Sequence, residues 1–214
     1  MFDKIFGKQA PTTPKAPSIL GLRVGFSFDL DSLMLRLIED QLVVNQVAPS
    51  QLILAAGMVD MGDAWIFRFY TDDEAFLQVV TQGGKSDQHV VDVKLFHYYD
   101  TLDVANTGDW DRLLKKQIGT PTYQLAGNQY DRVWASTSDY HNPVAMTETT
   151  WDNEGNISQT DQFTMLFERP LTDGTTESLF LSAEEIEETT GQLSRCFVIS
   201  TGMTLTPSQI TIHG

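Results

Sequence analysis

The hydrophobic pattern of the chain begins with a strict alternation. From Leu20 to Leu30 every second residue is apolar, and the residues between them are glycine, arginine, serine or aspartate. A period of two places the apolar side chains on one face of a β-strand. We therefore expect a strand over residues 20–30.

Residues 31–42 allow two interpretations. Leu33, Leu37 and Ile38 share one face of a helix that Asp31 or the serine after it would cap. The leucines at alternating positions in the same segment also suit a strand. We favour the helix, and the strand remains the alternative.

The middle of the chain predicts an antiparallel meander. Its apolar, β-branched and aromatic runs are joined by connections of a few residues rich in glycine and aspartate. Such connections are too short to hold a crossover helix, so neighbouring strands should be antiparallel. The predicted strands cover residues 51–59, 64–70, 75–81 and 90–99.

The remaining pattern adds one clear helix and more strands. Apolar residues share one face from Asp109 to Ile118, and the spacing after Ser182 predicts one or two further helical turns that Gly191 ends. The fold class is therefore mainly β, or α+β, with antiparallel meander sheets and two or three short helices. The additional strands are expected over residues 130–136, 144–151, 158–169, 178–181, 192–200 and 203–212.

Composition changes this picture at the amino terminus and excludes some partners. Residues 1–17 contain three prolines and three lysines against one aspartate, which predicts a flexible tail before a single mainly-β domain over residues 18–214. The whole chain has 29 acidic and 14 basic residues, too few bases for a protein that follows a nucleic-acid backbone. The longest uncharged window, residues 41–59, contains glutamine, asparagine, serine and proline, so we expect no transmembrane segment. The opening residues lack the apolar run of a secretory signal, which favours a cytoplasmic location.

Motifs for metal, cofactor or nucleophile chemistry are weak. Asp29-Leu-Asp31 and Asp109-Trp-Asp111 each offer two carboxylates, whereas calcium needs six to eight oxygen ligands. The chain has one cysteine and no glycine-rich nucleotide-binding or Gly-x-Ser-x-Gly pattern. We therefore expect no metal and no cofactor, and a non-enzymatic role is favoured.

Arg68 is the main candidate for a ligand site. It shares a strand face with Tyr70, so it should be partly buried, and a buried guanidinium needs a carboxylate or a ligand anion. One interpretation pairs it with an acid of the adjacent turn. The other makes Arg68, Tyr70, Asp72 and Asp73 a ligand-binding group at the end of the strand.

The amino-terminal tip is the candidate for binding a partner. Phe2, Ile5 and Phe6 are apolar, and Lys4 and Lys8 lie between and after them. This pattern predicts contact with an unidentified protein partner, itself membrane-associated, or with the inner face of the membrane, which would add a peripheral location to the cytoplasmic one. The alternative is a disordered tail without a partner.

Three stretches of sequence resemble a known family. They are Gly57–Asp63, Arg68–Val80 and Asp131–Trp134, and they look like the YjfK-like family of bacterial proteins of unknown function. The similarity covers nearly the whole chain and implies no established activity, cofactor or catalytic residue. Members are often encoded near a phage-shock-protein-A-like membrane-associated protein and a glutathionylspermidine-synthase-like ligase, which implies an accessory role in envelope stress.

Two hypotheses for function follow from these observations. The first is a non-enzymatic interaction or accessory protein, favoured by the missing catalytic signatures and the apolar tip. The second is a small-molecule-binding or enzymatic β domain with a pocket near Arg68. A concave, partly apolar cavity beside that arginine would favour the second, and filled sheet faces would favour the first.

Overall fold

A computed structural model describes residues 15–172, 174–188 and 190–214. These residues form mainly β structure, which confirms the predicted class, and every pairing between the described strands is antiparallel. The strands are β1 (Ser27–Leu30), β2 (Ser50–Asp60), β3 (Ala64–Thr71), β4 (Ala75–Gln82), β5 (Val90–Asp103), β6 (Thr122–Leu125), β7 (Asn128–Arg132), β8 (Val144–Asp152), β9 (Ile157–Pro170), β10 (Thr176–Glu187), β11 (Leu193–Thr204) and β12 (Ile210–His213).

Eight of these strands close into a barrel. The order β2-β3-β4-β5-β11-β10-β9 is completed by β8, which pairs with both β9 and β2. The long strands β2 and β9 have room for a second neighbour on the same edge: β2 pairs with β1 through its first residues, and β9 pairs with β7 near its end. The meander prediction was therefore right locally but coarser than the barrel, because closure depends on pairings between distant segments.

The described residues form two α-helices, both at predicted places. Helix α1 (Ser32–Ile38) begins after Asp31, whose carboxylate accepts hydrogen bonds from the backbone N–H groups of Leu33 and Met34. Helix α2 (Thr107–Arg112) continues as one π-helical segment, Leu113–Gln117. The helical interpretation of residues 31–42 is thus confirmed for its first part, and the side-chain cap explains why the helix starts there.

The strand expected over residues 20–30 is wrong for its first part. Only Ser27–Leu30 pairs as a strand, because Leu20, Gly21 and Gly25 adopt positive φ angles of 53°, 82° and 84°. Left-handed backbone at these positions turns the chain, and glycine adopts it without a steric penalty. The alternating apolar pattern reports burial here, with Leu22 fully buried, and not an extended segment.

Two predictions in the C-terminal half also need correction. The helical turns expected after Ser182 are absent from the described residues, because β10 continues to Glu187 between β9 and β11. Pairing on both edges overrides the local helix-start signal. The single strand expected over residues 203–212 is two strands, because the chain turns at Pro207 between β11 and β12.

The apolar core lies on the outside of the barrel. One cluster packs α1 and the segment before β1 onto β2–β5 and β11, and the other packs α2, β6 and β7 onto β9–β11. The inner face is different, because it carries polar and aromatic side chains that meet across the barrel. This arrangement places Arg68 at the centre of the fold.

Candidate functional site

Arg68 projects from β3 into the barrel and is only 2% exposed. Its guanidinium donates to the Glu148 carboxylate on β8 over 2.6 Å and to the Gln162 side-chain oxygen on β9 over 2.7 Å. A third hydrogen bond, 3.0 Å long, joins its Nε to Gln78 on β4. Because β8 and β9 are not neighbours of β3 in the sheet, these contacts cross the barrel interior and tie its walls together.

Aromatic rings surround the guanidinium on its apolar sides. The rings of Phe76 and Phe180 have their centroids 5.5 and 5.2 Å from the guanidinium carbon, within the range of cation–π attraction. Phe96 stacks on Phe76, with the ring centroids 5.2 Å apart. The interior around Arg68 is therefore filled by protein side chains.

The Glu148 carboxylate is held from several sides. It is 1% exposed, and its second oxygen accepts a 2.7 Å hydrogen bond from the Tyr70 hydroxyl. Gln162 donates to the oxygen that also binds Arg68, over 3.1 Å. A buried charge is tolerated only when it is paired and hydrogen-bonded, and Glu148 meets both conditions.

Gly57 on β2 makes room for this carboxylate. A Cβ atom at this position would overlap the Glu148 side chain, which lies directly above the glycine backbone. Glycine in a strand interior often marks such a close approach. The residue is therefore required by the Arg68–Glu148 pair and not by a turn.

Burial and charge set the ionisation of the group. Burial alone would lower the pKa of the Arg68 guanidinium, but the Glu148 carboxylate raises it above its ordinary value. The pKa of the Tyr70 phenol is also raised, first by burial and then by the same carboxylate. Glu184 on β10 accepts a 3.2 Å hydrogen bond from Gln162, and burial raises the pKa of its carboxyl group. The tyrosine hydroxyl therefore stays a neutral donor beside an ion pair.

The structure brings together two of the four residues predicted as a ligand-binding group. Arg68 and Tyr70 meet at Glu148, whereas Asp72 accepts from the backbone N–H of Leu52 over 2.8 Å. Asp73 accepts from the backbone N–H of residue 48 over 2.8 Å and lies 3.2 Å from the ring of the histidine at position 97. The expected ion pair between Arg68 and an acid of the adjacent turn is therefore wrong. These aspartates instead fix the start of β2.

The other residues considered from the sequence have different outcomes. The tip residues Phe2, Ile5 and Phe6 lie outside the described residues. Asp29 pairs with His213 over 2.9 Å. Asp109 pairs over 2.6 Å with Arg112, one helical turn away. Within the described part of the chain, no three side chains of His, Cys, Asp or Glu gather as metal ligands.

Two grooves lie on the surface near these elements. One, of about 630 Å³, lies between the end of β2, the first half of β8 and β9, and its lining includes Met58, Met61, Met146 and Gln162. Met146 and Gln162, which both contact Arg68, form part of this lining, but Arg68 does not. The second groove, of about 600 Å³, runs between α1 and the ends of β10 and β11.

The residues that complete the site were not identifiable from the local sequence. Glu148 and Gln162 lie 80 and 94 positions after Arg68, and only closure of the barrel brings them to it. The one available signal was the face shared by Met146, Glu148 and the threonine at 150 in a strand-like run. A lone carboxylate on such a face indicates an inward-facing charge without indicating its partner.

Comparison with known proteins identifies the family of the chain. Residues 1–211 match the family described as "Protein of unknown function (DUF2491)". The chain belongs to this family. It is also 29% identical over 217 residues to "Uncharacterized protein YjfK" of Escherichia coli strain K12, a similarity that covers 100% of this chain and 98% of the relative. These matches confirm the resemblance found in the sequence, and no solved structure matches.

Neither description names an activity, so any function has to be inferred from the geometry of the protein. Among the described residues, no helix combines the length and the apolar character needed to cross a membrane.

Proposed function

We propose that this protein is a non-enzymatic accessory protein that binds a partner protein through its outer elements. The observation that carries the proposal is the saturation of the barrel interior. Arg68, the strongest candidate for a ligand-binding group, already donates to Glu148, Gln162 and Gln78. A ligand anion would have to displace a buried carboxylate from an ion pair, and removing one member of such a pair is costly.

The interior also explains what the buried charges do instead. Lys94 is 7% exposed and donates to Glu168 over 3.2 Å, and the fully buried Glu177 pairs with Arg169 over 2.7 Å. Charges that are paired inside or beside a barrel hold the register of its strands. These contacts support a scaffold and leave binding to the outer elements.

The amino-terminal tip supplies the partner-binding residues in this proposal. Phe2, Ile5 and Phe6 would contribute about 1.5–3 kcal/mol each if fully buried in a partner's groove. Lys4 and Lys8 add about 1 kcal/mol each near an anionic membrane surface, which favours only weak membrane contact by an acidic protein. The proposal therefore places the protein in the cytoplasm, with a membrane-associated protein as its partner. The accessory role in envelope stress implied by the sequence resemblance is part of the same proposal.

The test is affinity capture with the full chain carrying two substitutions in the tip. Replacing Phe2 and Phe6 by serine should abolish recovery of the partner from a lysate of the source organism. The matched control replaces Thr12 and Thr13 by serine, which changes the same tail without removing apolar contacts. Partner recovery by the control but not by the tip variant is the expected result, and equal recovery by both would exclude the tip as the binding element.

A second candidate function rests on the groove beside β8. This groove of about 630 Å³ is lined by Met146 and Gln162, and both side chains contact Arg68 from the other side. A small molecule that displaced Met146 would reach the guanidinium. Stabilisation of the parent by a small anion, lost in Met146→Trp but kept in an exposed control outside the groove such as Val133→Ser, would favour this function over the first.

A further inference from the structure

The groove beside α1, of about 600 Å³, exposes apolar side chains on the surface formed by the described residues. Leu33 and Leu37 are one helical turn apart and are 64% and 67% exposed. Met34, Ile38 and Met203 complete the apolar part of the groove, and the remainder of its lining is Asp31, one glycine, threonines and a glutamine. Exposed apolar side chains on adjacent turns form the kind of surface that receives another apolar segment.

We propose that the amino-terminal tip of the same chain occupies this groove. Phe2, Ile5 and Phe6 have the spacing i, i+3 and i+4, which would place their side chains on one face of a single helical turn. An apolar stripe of this kind is the complement of a groove lined by leucine and methionine. The proposal rests on the proposed function in one respect, because it treats the tip as the partner-binding element, which would have to leave the groove before it could bind.

The course of the chain favours its own tip over a second copy. Ile19 and Leu22 belong to the same apolar cluster as Leu35 and Ile38 of α1, so the amino-terminal segment enters the fold on the side of the barrel that α1 covers. Phe6 precedes Ile19 by 13 residues, a reach of at most about 45 Å. Tethering over such a distance gives an effective concentration on the order of millimolar, far above that of a second molecule in dilute solution.

Charge supports the same occupant. The acids around α1 are Asp31 at its start and Glu39 and Asp40 at its end, against a single arginine within the helix. The tip carries Lys4 and Lys8 against one aspartate. Basic side chains of the tip would be attracted to the acids at the two ends of α1, one of which, Asp31, lines the groove, and this attraction weakens at high salt.

Disulfide trapping in the full chain tests the contact directly. The native cysteine is first replaced by Cys196→Ala, and the variant must melt like the parent. Gln9→Cys and Leu37→Cys then put one thiol next to the tip and one in the groove, while Phe2, Ile5 and Phe6 remain. We expect rapid intramolecular crosslinking, seen as a monomer of altered mobility on a non-reducing gel.

Two controls make the crosslinking specific. In the first, Phe2→Ser and Phe6→Ser are added to the same cysteine pair, and the crosslinking rate should fall at least tenfold. In the second, Leu193→Cys replaces Leu37→Cys. Leu193 is also exposed, and it lies ten residues along β11 from the groove residue Met203, a distance of about 33 Å.

Each outcome decides the proposal. Crosslinking that depends on the two phenylalanines and is absent at Leu193 supports it. A disulfide-linked dimer whose yield rises with protein concentration would overturn it in favour of a second copy. Equal rates with and without the phenylalanines would also overturn it, because the tip would then have no affinity for the groove. None of these results depends on an external partner, so failure here is distinguishable from failure of the capture experiment.

Discussion

Replacing Arg68 by methionine tests the structural role of the interior most sharply. Methionine keeps much of the apolar stem but removes the charge, so the 1%-exposed carboxylate of Glu148 loses its ion-pair partner. Breaking a buried pair by removing one member costs about 3–5 kcal/mol. For a chain of 214 residues, each kcal/mol lowers the melting temperature by about 2–4 °C. The expected decrease is therefore about 6–20 °C, measured by thermal and urea unfolding.

A double variant separates loss of pairing from loss of packing. Adding Glu148→Gln to Arg68→Met removes the unpaired charge and keeps an acceptor for the Tyr70 hydroxyl, which donates to Glu148 over 2.7 Å in the parent. Most of the lost stability should return, because replacing both members of a buried pair by neutral groups is often close to neutral. Packing loss alone would leave the double variant as unstable as the single one.

The matched control is an exposed ion pair elsewhere in the chain. Arg112 pairs with Asp109 over 2.6 Å, and the two side chains are 58% and 46% exposed. Exposed pairs contribute about 0–1 kcal/mol, so Arg112→Met should change the melting temperature little. If Arg68→Met were as mild as Arg112→Met, the assignment of Arg68 to a structural pair would be wrong.

Three further predictions concern the glycine, the second carboxyl group and metals. Gly57→Ala should lower the free energy of unfolding in urea by about 1–3 kcal/mol, because the new Cβ would overlap Glu148. Gly108→Ala at the start of α2 should be nearly neutral, and equal effects of the two substitutions would show that the close approach at Gly57 is not what matters. Glu184→Gln should stabilise the protein more at pH 7 than at pH 4. Burial raises the folded-state pKa of this carboxyl group, so the parent loses stability as pH rises from the unfolded-state pKa through the raised folded-state pKa, and a pH-independent difference would refute this. Millimolar calcium or magnesium should leave the melting temperature unchanged, and a shift of several degrees would reveal a site.

The local elements were largely predictable because their signals are local. The meander strands β2–β5 follow from period-two runs and short polar turns, and α1 follows from an aspartate cap before spaced leucines. The backbone conformation of residues 20–26 could not be predicted from the hydrophobic pattern. Apolar alternation reports which side chains are buried, and the positive φ angles at Leu20, Gly21 and Gly25 bend the backbone without changing that pattern.

The sequence predicted two residues of the candidate site but not their partners. Arg68 and Tyr70 share a strand face, and that face was enough to predict a buried guanidinium. Its partner was assigned to the nearest acids in sequence, whereas the barrel brings Glu148 from 80 residues away. Which distant strands pair is decided by closure of the whole sheet, and no local pattern reports it.

We propose that the interior holds the barrel together and that the outer elements bind the partner. One capture experiment compares two full-length variants at a temperature where both are folded, the interior variant Arg68→Met/Glu148→Gln and the tip variant Phe2→Ser/Phe6→Ser. We expect the interior variant to recover the same partner as the parent and the tip variant to recover none. Loss of the partner from the interior variant, together with full recovery by the tip variant, would instead place the function at Arg68.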